Sequence, residues 1–200
     1  MSYLDLSERL KSLVAYEPDE IDLGEGLILS NHEFKSRSTA APSIGPERAV
    51  PEALREALPE VDLSSLFVTP DDEIAENALF RYHVMRLKKS PKAEAAIILL
   101  HGFNERHWDK YLPMAESLVR ATGRAVFLFP IAFHMNRSPS LWHNSRLMGK
   151  VSHYRKKSFP DVIQSTLSNA AISVRLHADP SRFFWSGLQS YEDVVSLAAD

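Results

Sequence analysis

Cysteine is missing from all 200 residues, which rules out disulfides and thiolate metal sites. No apolar run approaches the roughly 20 residues that a membrane-crossing helix needs, so no membrane partner is expected. The opening residues, MSYLDLSERL, hold no basic stretch followed by an apolar one. No secretory signal is therefore expected, and the expected compartment is cytoplasmic. Acidic side chains are missing from residues 131–160, which carry Arg137, Arg146, Lys150, Arg155, Lys156 and Lys157 beside His134, His143 and His153. Those histidines lack a tight spacing of the H-x-x-x-H kind, so no metal is expected there. No other pattern implies a cofactor.

What is present is ordinary for a globular chain: 44% hydrophobic and 24% charged residues, and a length that suits one domain with an appendage. The charge is unevenly spread. Residues 1–77 hold 17 of the 26 acidic groups and 6 of the 23 basic ones, a balance of −11, which leaves +8 for the remainder. Such a split suits two parts that face each other, or one part that meets an anionic ligand.

The most informative stretch is AEAAIILLHGFNERHWDKYLPMAESLVRATGRAVFLFP, residues 93–130. Ala95 to Leu100 is apolar throughout, which predicts a strand covered on both faces. His101-Gly102 follows, where the chain turns sharply. A helical pattern then has Pro113 in its first turn and Gly123 at its stop. Tyr111, Ala115, Leu118 and Thr122 are expected to share its buried side, with Leu112 and Val119 adjoining. A second apolar run, Ala125 to Phe129, ends at Pro130. Two such strands joined by a helix predict a right-handed parallel crossover. Ligands bind beyond the carboxyl ends of parallel strands, which is where His101-Gly102-Phe103-Asn104 falls. Gly102 is expected to take a backbone conformation closed to side chains, turning the amides of Phe103 and Asn104 into a crevice. Fixed donors of that kind suit a developing oxyanion. The plainer reading of the same residues is a strand-to-helix turn without chemistry.

IILLHGF, HWDKYLPMAESLV and RAVFLFP, in that order, resemble the α/β-hydrolase superfamily over roughly residues 78–133. The longer form HGFNERHWDKYLPMA looks like an uncharacterised bacterial branch. The resemblance implies an α/β fold: a mostly parallel sheet flanked by helices, incomplete at its C-terminus. It implies that the backbone N–H of Phe103 supplies half of an oxyanion hole, aided by Gly102. Asn104 would support the loop or touch substrate, and His101 would support the loop. Trp108 packs at the helix entrance or walls the pocket.

Residues 1–16 place Leu4, Leu6, Leu10, Leu13 and Val14 on one helical face. Ile21 to Leu29 reads as a strand broken by Gly24 and Gly26. Asn31 to Pro51 reads as irregular, and Pro51 to Leu58 as a short helix. Ala41-Pro42-Ser43-Ile44-Gly45 imitates a nucleophile elbow but lacks the strand before it and the helix after it. Residues 77–87, NALFRYHVMRL, alternate as a strand, with Phe80, Tyr82 and Val84 on one face and Arg81 and an exposed or semi-exposed His83 on the other. Residues 131–160 are expected as a basic lid-like loop, with His134, Trp142 and His143 near the crevice. Solvation against the acidic first third is the favoured reading of its charge, and nucleic acid is not expected as a partner. Asp161 to His177 predicts a helix, and Ser190 is expected to cap a last one.

These readings divide the chain into an acidic helical or irregular extension, 1–76, and the N-terminal part of a hydrolase-like domain, 77–200. No G-x-S-x-G lies between residues 130 and 200. The expected protein is thus the N-terminal portion of a serine hydrolase acting on an ester or related acyl bond, its nucleophile beyond residue 200. The alternative is a non-catalytic hydrolase-like binding protein. Either takes a small-molecule substrate or ligand, and an open sheet edge would favour self-association.

Overall fold

The structure, a computed structural model, describes residues 3–14, 16, 18–40, 55–56, 58–60, 69–89, 95–102, 105–158, 160–161 and 167–199. They form two compact units, each built from two stretches: Met1–Phe34 with Phe80–Ile131, and Lys35–Leu79 with Ala132–Asp200. Ser43 and most of Pro51 to Leu58 fall outside the described residues.

The first unit holds a five-stranded sheet in the order β1-β2-β3-β5-β4. Its strands are β1 (Glu20–Gly24), β2 (Leu27–Lys35), β3 (Leu79–Leu87), β4 (Ile97–Leu99) and β5 (Val126–Leu128). The sheet is mixed and mostly antiparallel, which corrects the expectation of a mostly parallel α/β-hydrolase sheet. The cause is local at one end. Glu25 (φ 51) and Gly26 (φ 74) form the two-residue turn between β1 and β2, and positive φ at both positions is the hairpin signature. A turn that short allows only antiparallel pairing. The glycines expected to break a strand instead fold it back. β3 lies antiparallel to β5, with His83 opposite Leu128 and Met85 opposite Val126.

Only β4 and β5 run parallel, with Ile97 beside Val126 and Leu99 beside Leu128. Their crossover contains the helix α3 (Leu112–Thr122), after α1 (Tyr3–Leu13) and the short α2 (Ala75–Ala78). Pro113 sits in the first turn of α3, where its missing N–H costs nothing. Gly123, at φ 68, ends it with its N–H on the Val119 carbonyl at 2.8 Å. The buried residues of α3 are Leu112, Pro113, Ala115, Glu116 and Val119, so the expected stripe is buried at Ala115 and at the adjoining Leu112 and Val119, while Thr122 is exposed. β4 is also not the doubly covered strand its apolar run suggested. It is the last strand of the sheet, all three residues are half-buried, and Leu100 is 44% exposed. The interior place belongs to β5, where Val126 and Leu128 are fully buried.

α1 packs on α3. Of the expected leucine face only Leu10 is fully buried, while Leu4 is exposed. One buried leucine supplies about 1.5–3 kcal/mol, too little to hold an isolated short helix. Arg9 adds a polar anchor, donating to the Leu23 carbonyl and to the Glu116 carboxylate, each at 2.7 Å.

The second unit is helical: α4 (Ser145–Ser158), α5 (Leu167–Ala178) and α6 (Ser181–Ala199), with α2 and 3-10 turns at Asp71–Glu73, Met135–Arg137 and Ser140–His143. Residues expected as a basic loop thus form two tight turns and α4. Leu147, Met148 and Val151 recur at helical spacing and join a core with Trp142, Phe133, Ala170, Ala171 and Val174. Arg155, Lys156 and Lys157 fall in the last turn of α4, where cations complement the helix dipole. The last helix starts nine residues earlier than Ser190. Asp179 Oδ1 accepts from the Ser181 N–H at 3.0 Å and from its hydroxyl at 2.6 Å. Gly187 is absorbed inside α6, a cost of about 1 kcal/mol that a long amphipathic helix tolerates. Among the described residues no helix is long and apolar enough to cross a membrane.

Candidate functional site

The loop after β4 is built around a histidine that cannot turn. His101 is buried, its Nδ1 lies 2.9 Å from the Gly102 carbonyl, and its Nε2 accepts the Ile131 N–H at 3.1 Å. Those partners require the proton on Nδ1 and the lone pair on Nε2. The ring therefore ties the end of β4 to Ile131, three residues past β5. Trp108, 3% exposed, closes the next turn edge-on to His101, with ring centroids 5.4 Å apart. Its carbonyl accepts from Tyr111 at 2.7 Å and from Leu112 at 3.1 Å, which starts α3.

Tyr111 then reaches back. The Gly102 N–H donates to the Tyr111 hydroxyl at 2.6 Å. Lys110, ion-paired with Glu105, holds its ammonium 5.1 Å from the Tyr111 ring centroid. Gly102 is not in the left-handed region, which corrects the expected reason for a glycine there. A Cβ would lie 3.4 Å from the Tyr111 hydroxyl, an ordinary contact. Phe103 and Asn104, whose amides were expected to face substrate, lie outside the described residues.

Behind Trp108 stands a polar residue that sequence reading placed at the surface. His83 is 4% exposed, because Tyr16 (ring centroids 4.7 Å apart) and Trp108 (6.4 Å) cover its face of β3. Its Nδ1 lies 2.6 Å from Asn31 Oδ1, and Asn31 Nδ2 donates to the Pro18 carbonyl at 2.5 Å. Asn31 therefore presents its oxygen, and His83 carries the proton on Nδ1. Burial, reinforced by Arg81 and His32, pushes the imidazolium down to about 4, so the ring is neutral at physiological pH. The Tyr16 hydroxyl is buried without a hydrogen-bond partner, and burial, then the charge of Asp109, raises its pKa.

The whole chain, residues 1–200, matches a family of unknown function, DUF6051. The chain belongs to DUF6051. No curated protein and no solved structure matches this DUF6051 chain.

The remaining expected site residues of this DUF6051 member lie in the second unit. His134 is buried beside the Ala132 carbonyl (Nδ1 at 2.8 Å), and burial lowers its pKa. Trp142 is a core side chain, 5% exposed, with the Arg175 guanidinium 5.6 Å from its ring. His143 is exposed, its Nε2 2.9 Å from the Ser138 hydroxyl. That contact does not activate the serine. Ser138 is buried and its hydroxyl donates to the Met135 carbonyl at 2.9 Å, so the hydroxyl proton is committed to backbone rather than to the imidazole. His101, Gly102 and Trp108 share one unit, while His134, Trp142 and His143 share the other.

Sequence reading missed the second unit's buried ion pair. Arg137 and Asp193, both fully buried, meet at 2.7 Å. Asn77 accepts from Arg137 Nε at 3.2 Å and from the Phe133 N–H at 3.3 Å, and donates to Gln189 at 2.8 Å. Ser36 donates to the second Asp193 oxygen at 2.6 Å. The available signal was the first of three arginines in a stretch without acids, and an aspartate inside the periodicity of α6. Every member of this network is engaged by protein groups, which marks it as scaffold. Among the described residues no cluster of histidines and carboxylates could hold a metal ion.

Proposed function

We propose that the chain binds the carbonyl oxygen of a small acyl ester at the loop following β4 and serves the hydrolysis of that ester. The observation that carries this reading is the loop's construction at the end of the one parallel strand pair. His101 is bonded to backbone through both ring nitrogens, Trp108 is buried beside it, and the first amide of the turn meets a hydroxyl. A loop held this rigidly at the carboxyl end of a parallel strand suits a substrate oxygen, because its polar groups need no reorganisation as charge develops. The resemblance of IILLHGF and HWDKYLPMAESLV to acyl hydrolases supports the same chemistry.

A second reading has a specific observation behind it. The Gly102 N–H is already satisfied by Tyr111, which suits a loop that retains ligand without turning it over. A fluorophosphonate probe applied to the full-length protein separates the two. Covalent labelling, blocked by an excess of short-chain ester, is the outcome expected of the enzyme. Ester retention without labelling transfers the site to the binding reading, and neither labelling nor retention removes both.

A further inference from the structure

We propose that the Tyr111 side chain is the donor that meets the substrate's carbonyl oxygen, a role that rests on the acyl-ester reading above and names a residue within it. The Tyr111 hydroxyl oxygen accepts the Gly102 N–H at 2.6 Å. A phenol has one proton, and here the oxygen is used as acceptor, so the O–H must point away from Gly102. Among the described residues no protein acceptor takes that proton. Tyr111 is half-buried and its bond to Gly102 is exposed, so the O–H is within reach of solvent and of a ligand. Accepting one hydrogen bond strengthens donation of the next by roughly 10–30%. The neighbouring Lys110 ammonium, 5.1 Å from the ring centroid and itself paired with Glu105, hydrogen-bonds the Tyr111 side chain and helps to hold it in place.

The orientation is fixed rather than adaptable. Tyr111 sits at the N-cap of α3, its N–H is held by the Trp108 carbonyl at 2.7 Å, and its ring lies edge-on to Trp108 at 5.7 Å. Substrate does not have to order it. In the step envisaged, a hydroxyl nucleophile adds to the acyl carbon as its proton passes to a base. The C=O π pair moves onto oxygen, and Tyr111 stabilises that charge by hydrogen bonding while keeping its own proton. When the C=O re-forms, the ester's alkoxide leaves and takes up the proton from the base. Tyr111 changes hydrogen-bond strength only, which makes it a catalytic residue by contact and not by proton transfer.

The test uses the full-length protein with p-nitrophenyl acetate and two variants. Tyr111→Phe keeps the ring against Trp108 and removes the donor. A fluorinated tyrosine in place of Tyr111 keeps the donor and makes it more acidic. The expected result is a kcat for Tyr111→Phe lower by roughly 10²–10³-fold, with KM and melting temperature close to wild type. The fluorinated variant should lose activity at lower pH than wild type on the alkaline side. Wild-type turnover with an unchanged kcat in Tyr111→Phe overturns the role of Tyr111 and leaves the acyl-ester reading standing. So does an unmoved pH profile in the fluorinated variant. Absence of both turnover and fluorophosphonate labelling in the wild type removes that reading and the Tyr111 role together.

Discussion

Replacing Asp193 by Ala should be among the most damaging single substitutions in the second unit. Asp193 lies inside α6 with no exposed side-chain surface, one oxygen 2.7 Å from Arg137 Nη2 and the other 2.6 Å from the Ser36 hydroxyl. Its removal leaves a guanidinium with no exposed surface and no counter-charge. Burial pulls the Arg137 pKa down, opposed by Asp193, to about 10, so within the native pair the group is a cation at neutral pH. Asn77 can hydrogen-bond it but cannot neutralise it. Breaking one partner of a buried pair typically costs about 3–5 kcal/mol. Against a usual stability of about 5–15 kcal/mol, that is about a fifth of the total or more. At about 2–4 °C per kcal/mol for a chain of this size, the melting temperature should fall by about 6–20 °C. Urea unfolding followed by circular dichroism measures it. The double substitution Arg137→Met with Asp193→Leu is the control, because it removes both charges and keeps apolar volume. It should recover most of the loss. A loss below about 1 kcal/mol in Asp193→Ala, or a double variant as weak as the single one, would refute the assignment of this pair as a buried charge contact.

Three further outcomes are expected from the first unit. His83 is neutral when folded and titrates near 4, below its ordinary value of 6.5. The unfolded chain therefore binds the extra proton between those values, and stability present above pH 6.5 should be lost as pH falls through about 4, by up to about 3 kcal/mol. His83→Gln should flatten that part of the stability profile in urea melts at stepped pH, and an unflattened profile assigns the acid sensitivity elsewhere. Gly102→Ala should cost less than about 0.5 kcal/mol, since its φ is permissive and the new Cβ meets Tyr111 at ordinary contact distance. Gly123→Ala, at φ 68, should cost about 1–2 kcal/mol in the same melts, and a reversed order would contradict the backbone assignment.

The loop after β4 was half legible in advance. An apolar run ending in His-Gly before a helical pattern marks a strand end, and the parallel pairing of β4 with β5 agrees with it. The Tyr111 contact was hidden, because a tyrosine on a predicted helix reads first as part of an apolar stripe. Nothing in the spacing of Gly102 and Tyr111 states that the chain turns far enough to bring amide and hydroxyl together. Trp108, packed under the turn, is what brings them there. His83 was misplaced for a related reason. Alternation along β3 reports two faces but not whether both are covered, and Tyr16 lies 67 positions away in the chain.

Short-range chemistry, then, was enough to locate Pro113 in a first helical turn, Gly123 at a stop, and the apolar runs that became β4 and β5. Each depends on backbone angles and side-chain periods that neighbouring residues set among themselves. Which strand stands at the sheet edge, which histidine is covered and which arginine meets Asp193 depend on surfaces contributed by residues tens of positions apart. Burial and charge pairing are properties of the assembled core, so they came into view only with the packed elements.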